Sequence, residues 1–125
     1  MPVPKTRNNG QWTEARYRAF VRSALRQAWQ KWGPNHEAKK RARIRRGEYL
    51  CAGYKCDPHI VPTSIKVDGK RKNNIFTDHI DPIGAYETWD RTIERMFCEL
   101  PNLQVLCRAC HDQKTKDERA MARKK

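Results

Sequence analysis

Hydrophobic positions near the start of the chain recur at steps of three and four residues, the spacing of one face of a helix. This pattern runs from Thr13 to Trp32, where Thr13 is able to cap a helix and Gly33-Pro34 ends one. A second helix is predicted from Asn35 to Arg46, ending before Gly47. We therefore expect residues 1–50 to form a helical N-terminal region.

After residue 51 the pattern changes to short β-branched runs separated by turn residues. The runs Ile60 to Val67 and Asn74 to Asp78, with the turn Asp68-Gly69 between them, predict a β-hairpin. Three further elements are predicted along the chain: a helix from Tyr86 to Cys98, a strand from Leu103 to Leu106 and a last helix from about Arg108 to Arg123. The pattern as a whole predicts an α+β protein.

The charge of the chain is concentrated in its first part. Lys and Arg number 27 and Asp and Glu 14, a formal net charge of +13. Residues 1–50 hold 13 basic and 3 acidic residues, a net +10, which leaves +3 for residues 51–125. Such a surplus indicates a polyanionic partner, with nucleic acid as the first candidate.

The basic residues of the first region are candidates for contact with DNA. Three of them project away from the apolar stripe of the first helix, and six lie in the basic run of the second: Arg16, Arg22 and Arg26, then Lys39, Lys40, Arg41, Arg43, Arg45 and Arg46. The alternative interpretation of the basic run is a solvated helix face or a flexible linker.

Composition indicates a small core and an intracellular location. Only 38% of the residues are hydrophobic and 33% are charged, so a chain of 125 residues should need a staple to hold one fold. No apolar run is long enough for a membrane span, and the N-terminus does not resemble a signal peptide. We therefore expect an intracellular protein, in which clustered cysteines bind metal more often than they form disulfides.

Four of the five cysteines fall into two close pairs. Cys51 and Cys56 form the first and Cys107 and Cys110 the second, as expected of two knuckles that together hold one structural zinc ion through four thiolates. Because the first gap is wider than the commonest spacing, His59 is an alternative ligand to Cys51, with Cys51 preferred. Cys98 lies on the apolar face of its predicted helix and is interpreted as a small buried hydrophobe.

The C-terminal part carries three motifs in a fixed order: DHIDP at 78–82, NLQVLC at 102–107 and CHDQKT at 110–115. In this order and spacing, and with the cysteine knuckles, the chain resembles the HNH endonuclease family, particularly the small zinc-stapled HNH proteins of bacteriophages. The resemblance covers Cys51 to about Glu118. It implies the ββα-metal fold, also called the His-Me finger, for residues 51–125, with the helix at about 86–98 as an insertion.

The resemblance also assigns roles to residues. It implies that His79 is the general base, that Asp78 and His111 bind a catalytic Mg²⁺ or Mn²⁺, and that Asn102 holds the segment that orients His79. Lys114, one helical turn after His111, is expected to contact a phosphate, with a solvated lysine as the alternative. Some relatives have a further metal-binding histidine where this chain has Thr115, which implies a weakly held cation.

The expected function is metal-dependent hydrolysis of phosphodiester bonds in double-stranded DNA. If the protein is encoded by a phage, its compartment is the cytoplasm of a bacterial host. The alternative is a catalytically silent zinc-containing DNA-binding protein, or an accessory of a phage packaging machine such as the terminase. The intact set of Asp78, His79, Asn102 and His111 favours the enzyme.

Overall fold

A computed structural model describes residues 2–84 and 88–123 of the chain. Contacts within the chain divide it between Trp32 and Gly33 into two compact units, which are described in turn. Among the helices of the described residues, none has the length and apolar character needed to cross a membrane.

The first unit is a small hairpin followed by one long helix. Strand β1 (Lys5–Arg7) pairs antiparallel with β2 (Trp12–Thr13), and helix α1 runs over Glu14–Trp29. Thr13 caps the helix by accepting the Arg16 backbone N–H at 3.2 Å, which confirms the predicted helix start. No residue of α1 is buried.

The second unit opens with helix α2 (Gly33–Ala42) and a three-stranded antiparallel sheet. Its strands are β3 (Arg43–Arg45), β4 (Glu48–Cys51) and β5 (His59–Pro62), in that spatial order. The prediction of helix up to Arg46 is therefore wrong for its last residues. Pairing with β4 sets Arg45 beside Glu48, with Nε to Oε1 at 2.9 Å, and relieves the crowding of cations that a continued helix would keep.

A second hairpin follows, made of β6 (Ser64–Val67) and β7 (Lys70–Asn73). The predicted turn is confirmed, since Asp68 and Gly69 have φ of 53° and 79°, as a two-residue hairpin turn requires. The predicted partner strand is wrong. A two-residue turn pairs Val67 with Lys70 and ends the ladder at Asn73, so the next strand must pair elsewhere.

That next strand is β8 (Ile75–His79), and it pairs antiparallel with β9 (Leu103–Cys107). Between them lie helix α3 (Trp89–Met96) and a 3₁₀ turn at Leu100–Asn102, and helix α4 (Arg108–Arg123) follows β9 directly. The predicted last strand and last helix are thereby confirmed. The predicted helix over 86–98 is confirmed for Trp89–Met96, while its first two residues lie outside the described residues.

The core of the second unit lies on the β8 and β9 pair. Its fully or nearly buried side chains are Ile75, Met96, Leu103, Val105 and Leu106. Burying each of these contributes about 1.5–3 kcal/mol at most. The chain thus combines α and β elements, as expected, and its core holds the β8 strand that ends in Asp78 and His79.

Candidate functional site

Four side chains with metal-binding atoms meet where three strands and a helix converge. Cys51 ends β4, His59 begins β5, Cys107 ends β9 and Cys110 lies in the first turn of α4. One ligand atom from each lies within 4.8 Å of the others. Because Cys51 and His59 are direct partners in the β4 and β5 ladder, strand pairing itself brings them together.

The spacing of the ligand atoms in this Cys51/His59/Cys107/Cys110 group suits one metal ion. The Sγ atom of Cys107 lies 3.8 Å from Nε2 of His59, close to the edge of about 3.6 Å that Zn–S and Zn–N bond lengths give a tetrahedron. The other ring nitrogen, Nδ1, donates to the Asp57 carbonyl at 2.9 Å. That bond fixes the tautomer whose Nε2 lone pair faces the sulfur atoms, as a metal-binding histidine requires.

The surroundings of Cys51 and Cys107 also stabilise negative charge on their sulfur atoms. Backbone N–H groups of Gly53 and Cys107 donate to Cys51 Sγ at 3.4 and 3.2 Å. Burial alone would raise the pKa of Cys107, but hydrogen bonds, above all the one from the Cys110 backbone N–H, outweigh it and lower the pKa to about 7. Burial raises the pKa of Cys110 to about 12, so this thiol needs the cation to lose its proton.

Cys56, which the sequence predicts as a ligand, is not in this group, whereas His59 is in it together with Cys51. Cys56 is exposed in the loop between β4 and β5, and its Sγ approaches Cys110 Sγ at 3.8 Å. The loop turns at Gly53, which has φ of +84° and where a Cβ would collide with the Cys56 carbonyl oxygen. Cys98 is half-buried and also lies outside the group.

The predicted Asn102 ties down the segment that follows His79. Its Oδ1 accepts the Asp81 backbone N–H at 2.8 Å, and its Nδ2 donates to the Asp81 carbonyl at 3.2 Å. Its own carbonyl accepts the Ile80 N–H at 2.8 Å, which continues the β8 and β9 ladder. Three hydrogen bonds from one residue therefore fix the exit of the strand that carries His79.

The His79 ring is held by a residue that the sequence analysis missed. Its Nε2 lies 2.8 Å from the main-chain oxygen of Met96, at the end of α3. Because a carbonyl only accepts, Nε2 carries a proton and the lone pair of the neutral ring lies on Nδ1. Side-chain patterns carry no signal for a main-chain contact of this kind, and the inserted helix α3 supplies it.

Asp78 is buried, and its carboxylate is already engaged. Oδ2 accepts a hydrogen bond from Gln104 at 3.0 Å and faces the Lys114 ammonium at 3.0 Å. Lys114 also donates to the His79 carbonyl at 2.9 Å and approaches Glu118 at 3.4 Å. The phosphate contact expected of Lys114 is therefore not what this structure has: the side chain is 7% exposed and packs inwards as part of an ion pair.

His111 lies on the same side of β8 as Asp78. Its ring stacks on Phe76, with centroids 4.8 Å apart and planes 15° apart. Phe76 and Asp78 are two residues apart on β8 and share one face of the strand. Phe76 contacts His111 of α4, and Asp78 contacts Lys114, one helical turn further along α4. The two predicted ligands of the catalytic cation, Asp78 and His111, thus both lie at the interface between β8 and α4.

The basic residues predicted to contact DNA are mostly at the surface. Arg16, Arg22, Arg26, Lys40, Arg41, Arg43, Arg45 and Arg46 are exposed, and Lys39 is half-buried. Arg41 pairs with Glu37 at 3.0 Å, and Arg45 pairs with Glu48. Arg16 stacks over the Trp12 ring at 4.9 Å.

Comparisons of the chain with protein-family models, with curated proteins and with solved structures gave no match. What can be said of its chemistry comes from its own residues. The Cys51/His59/Cys107/Cys110 group can hold one metal ion. Of the other predicted site residues, Asp78 and His79 lie on β8, Asn102 lies in the turn that leads into β9, and His111 lies on α4.

Proposed function

We propose that this protein is a metal-dependent HNH endonuclease that hydrolyses phosphodiester bonds in DNA. The observation that carries the proposal is the bracing of Asp81 and Ile80 by Asn102, directly after His79. The resemblance implies this role for Asn102, and a residue with a merely local capping function would not need to bond both the N–H and the carbonyl of a residue 21 positions away. The antiparallel β8 and β9 pair followed by α4 is consistent with a ββα arrangement.

His79 is the general base of the proposed reaction. The Met96 carbonyl holds the proton on Nε2, so Nδ1 is the nitrogen able to accept a proton from the attacking water. An imidazole suits this task because its ordinary pKa lies near neutrality. A residue in this role accelerates the chemical step and contributes little to DNA affinity.

Asp78 and His111 are the residues that would hold the catalytic cation. A carboxylate with an imidazole suits Mg²⁺ or Mn²⁺, and both recorded contacts to Asp78 fall on Oδ2. A divalent cation there would supply charge stabilisation at the scissile phosphate and the departing oxygen. Lys114 competes for the same carboxylate, so binding of the cation requires this ion pair to loosen.

The Cys51/His59/Cys107/Cys110 group has a separate, structural role in the proposal. Closed sites of cysteine and histidine are typical of zinc ions that stabilise a fold. This site joins β4, β5, β9 and the start of α4, and α4 carries His111. A zinc ion there would stabilise the position of α4 relative to β8.

The test is cleavage of supercoiled plasmid by the full-length, zinc-loaded chain, with Mg²⁺ or Mn²⁺ added separately. We expect nicked or linear DNA with the wild type and a rate about 10²- to 10⁴-fold lower for His79→Ala. His36→Ala is the matched control, because His36 is an exposed histidine on α2. Zinc content and circular dichroism should be unchanged in both variants.

One observation favours a second candidate function, a catalytically silent zinc-containing DNA-binding or packaging accessory protein. The Lys114 ammonium lies on the carboxylate that the cation would need. In that case the plasmid is bound but stays supercoiled with every cation tested. Nicking by His79→Ala at the wild-type rate would instead remove His79 from the catalytic role.

A further inference from the structure

The β6 and β7 hairpin is the most basic exposed feature of the second unit outside the residues already assigned. Between Ser64 and Asn73 it has four basic residues and one acidic residue, a net +3. All of β7 is exposed, and so is Lys66 of β6. The four cations, called here the hairpin cations, are Lys66, Lys70, Arg71 and Lys72.

Positive charges on the two strands of the hairpin repel each other. Lys66 and Arg71 are direct cross-strand partners, and like charges in such a pair destabilise a ladder. Within residues 2–84 and 88–123, none of the hairpin cations has an acidic side chain within ion-pair distance. Arg71 donates to Ser64 Oγ at 3.3 Å. A bound polyanion would relieve this repulsion.

The base of the hairpin is firmly attached to the rest of the unit. Asn74 is 4% exposed, and its backbone N–H and side-chain Nδ2 donate to the carbonyls of Thr63 and Pro62, each at 2.9 Å. Its Oδ1 accepts the N–H of Arg108, the first residue of α4, at 3.1 Å. The Arg108 guanidinium in turn donates to the Asn73 carbonyl at 2.9 Å. The backbone of the hairpin is therefore anchored at its base to the end of β5 and to the start of α4.

We infer that the β6 and β7 hairpin is a DNA-binding ribbon that enters the major groove of a B-form duplex and places the hairpin cations against its phosphates and base edges. Two strands lie about 4.8 Å apart, and the B-form major groove, about 12 Å wide, admits a two-stranded ribbon. The major groove of A-form RNA is too deep and narrow for this. The inference concerns binding and holds whether or not the chain cleaves DNA.

The test compares DNA binding by two variants with equal loss of charge. In the hairpin variant the hairpin cations are changed to Gln, and in the control Lys5, Lys31, Lys116 and Arg123 are changed to Gln. Both have a net charge of 13 − 4 = +9. Each is made in the full-length His79→Ala chain without added Mg²⁺, and fluorescence anisotropy with a 24-base-pair duplex is measured across a salt series.

Each phosphate contact contributes about −0.9 to the slope of log affinity against log salt. We expect the slope of the hairpin variant to be shallower by about 2 to 4, and that of the control by less than about 1. Equal changes in the two variants would overturn the inference. So would an A-form RNA duplex of the same length that binds as tightly as DNA and loses as much affinity in the hairpin variant.

A smaller variant guards against loss of fold. Lys66→Gln alone removes the repulsion with Arg71 and should not lower the thermal stability of the zinc-loaded chain. It should still make the salt slope shallower, by about 1. A lower melting temperature with an unchanged slope would mean that Lys66 has only a structural role and would contradict the inference at this position.

Discussion

Replacing Lys114 with methionine removes the ammonium that faces Asp78 and keeps most of the length of the side chain. Both partners of this ion pair are nearly buried, with 9% of each side chain exposed, and Nζ lies 3.0 Å from Oδ2. The substitution would leave the Asp78 carboxylate buried with Gln104 as its remaining recorded donor. It would also remove the donor to the His79 carbonyl.

The size of the effect follows from this geometry. At an effective dielectric constant of 20, two unit charges 3.0 Å apart attract by about 5 kcal/mol. Loss of one partner of a buried pair costs about 3–5 kcal/mol, because the other charge stays buried without compensation. Glu118 adds little, since its contact is longer, at 3.4 Å, and 34% of its side chain is exposed. We therefore expect Lys114→Met to lower the free energy of unfolding by about 3–5 kcal/mol.

The assay is urea unfolding followed by circular dichroism at a fixed saturating zinc concentration, because zinc binding itself shifts stability. Lys116→Met is the matched control, an exposed lysine on the same helix. The double variant Lys114→Met/Asp78→Asn should recover about 1–3 kcal/mol relative to the sum of the single variants. A Lys114→Met chain as stable as Lys116→Met would refute the buried ion pair and return Lys114 to the phosphate contact expected from the sequence.

Three further predictions concern the metal group, the brace and acid stability. Cys56→Ser should keep one zinc ion per chain by elemental analysis while His59→Ala loses it, and the reverse result would restore the sequence-based ligand set. Asn102→Ala should slow plasmid cleavage by roughly 10- to 100-fold at unchanged zinc content, and an unchanged rate would deny the bracing role. The pKa of Asp117 is lowered, above all by the hydrogen bond from the Tyr54 hydroxyl. This contact therefore stabilises the fold at pH values above the ordinary carboxyl pKa, and the stabilisation is lost as the pH falls through the lowered pKa. The advantage of wild type over Asp117→Asn in urea unfolding should accordingly shrink below about pH 4, and a pH-independent difference would contradict it.

Elements that depend on residues close together in the sequence were predicted well. The structure confirms three such predictions: the capping residue Thr13, the turn Asp68-Gly69 and the helix from Arg108. Strand pairing is different because it depends on partners far along the chain. The pattern predicts that the run Asn74 to Asp78 pairs with the nearer strand, while the structure pairs Ile75–His79 with Leu103–Cys107.

The same distinction applies to the metal-binding group. Spacing along the chain pairs Cys51 with Cys56. The β4 and β5 ladder brings His59 opposite Cys51 and leaves Cys56 in the connecting loop. A register that pairs residues eight positions apart has no signature in the cysteine spacing, although a histidine at the start of a β-branched run was a usable signal.

Charge was the hardest property to interpret from the sequence, because a lysine looks the same whether it faces solvent or a carboxylate. Lys114 was counted among the DNA contacts, yet it is buried against Asp78. The hairpin cations were not counted, although they lie exposed on a braced ribbon with like charges opposite each other. Only the depth of burial distinguishes these cases. A cation near a buried carboxylate is held there, because the attraction between the two charges is strong where the dielectric constant is low. Exposed cations that repel one another remain available to bind a polyanion.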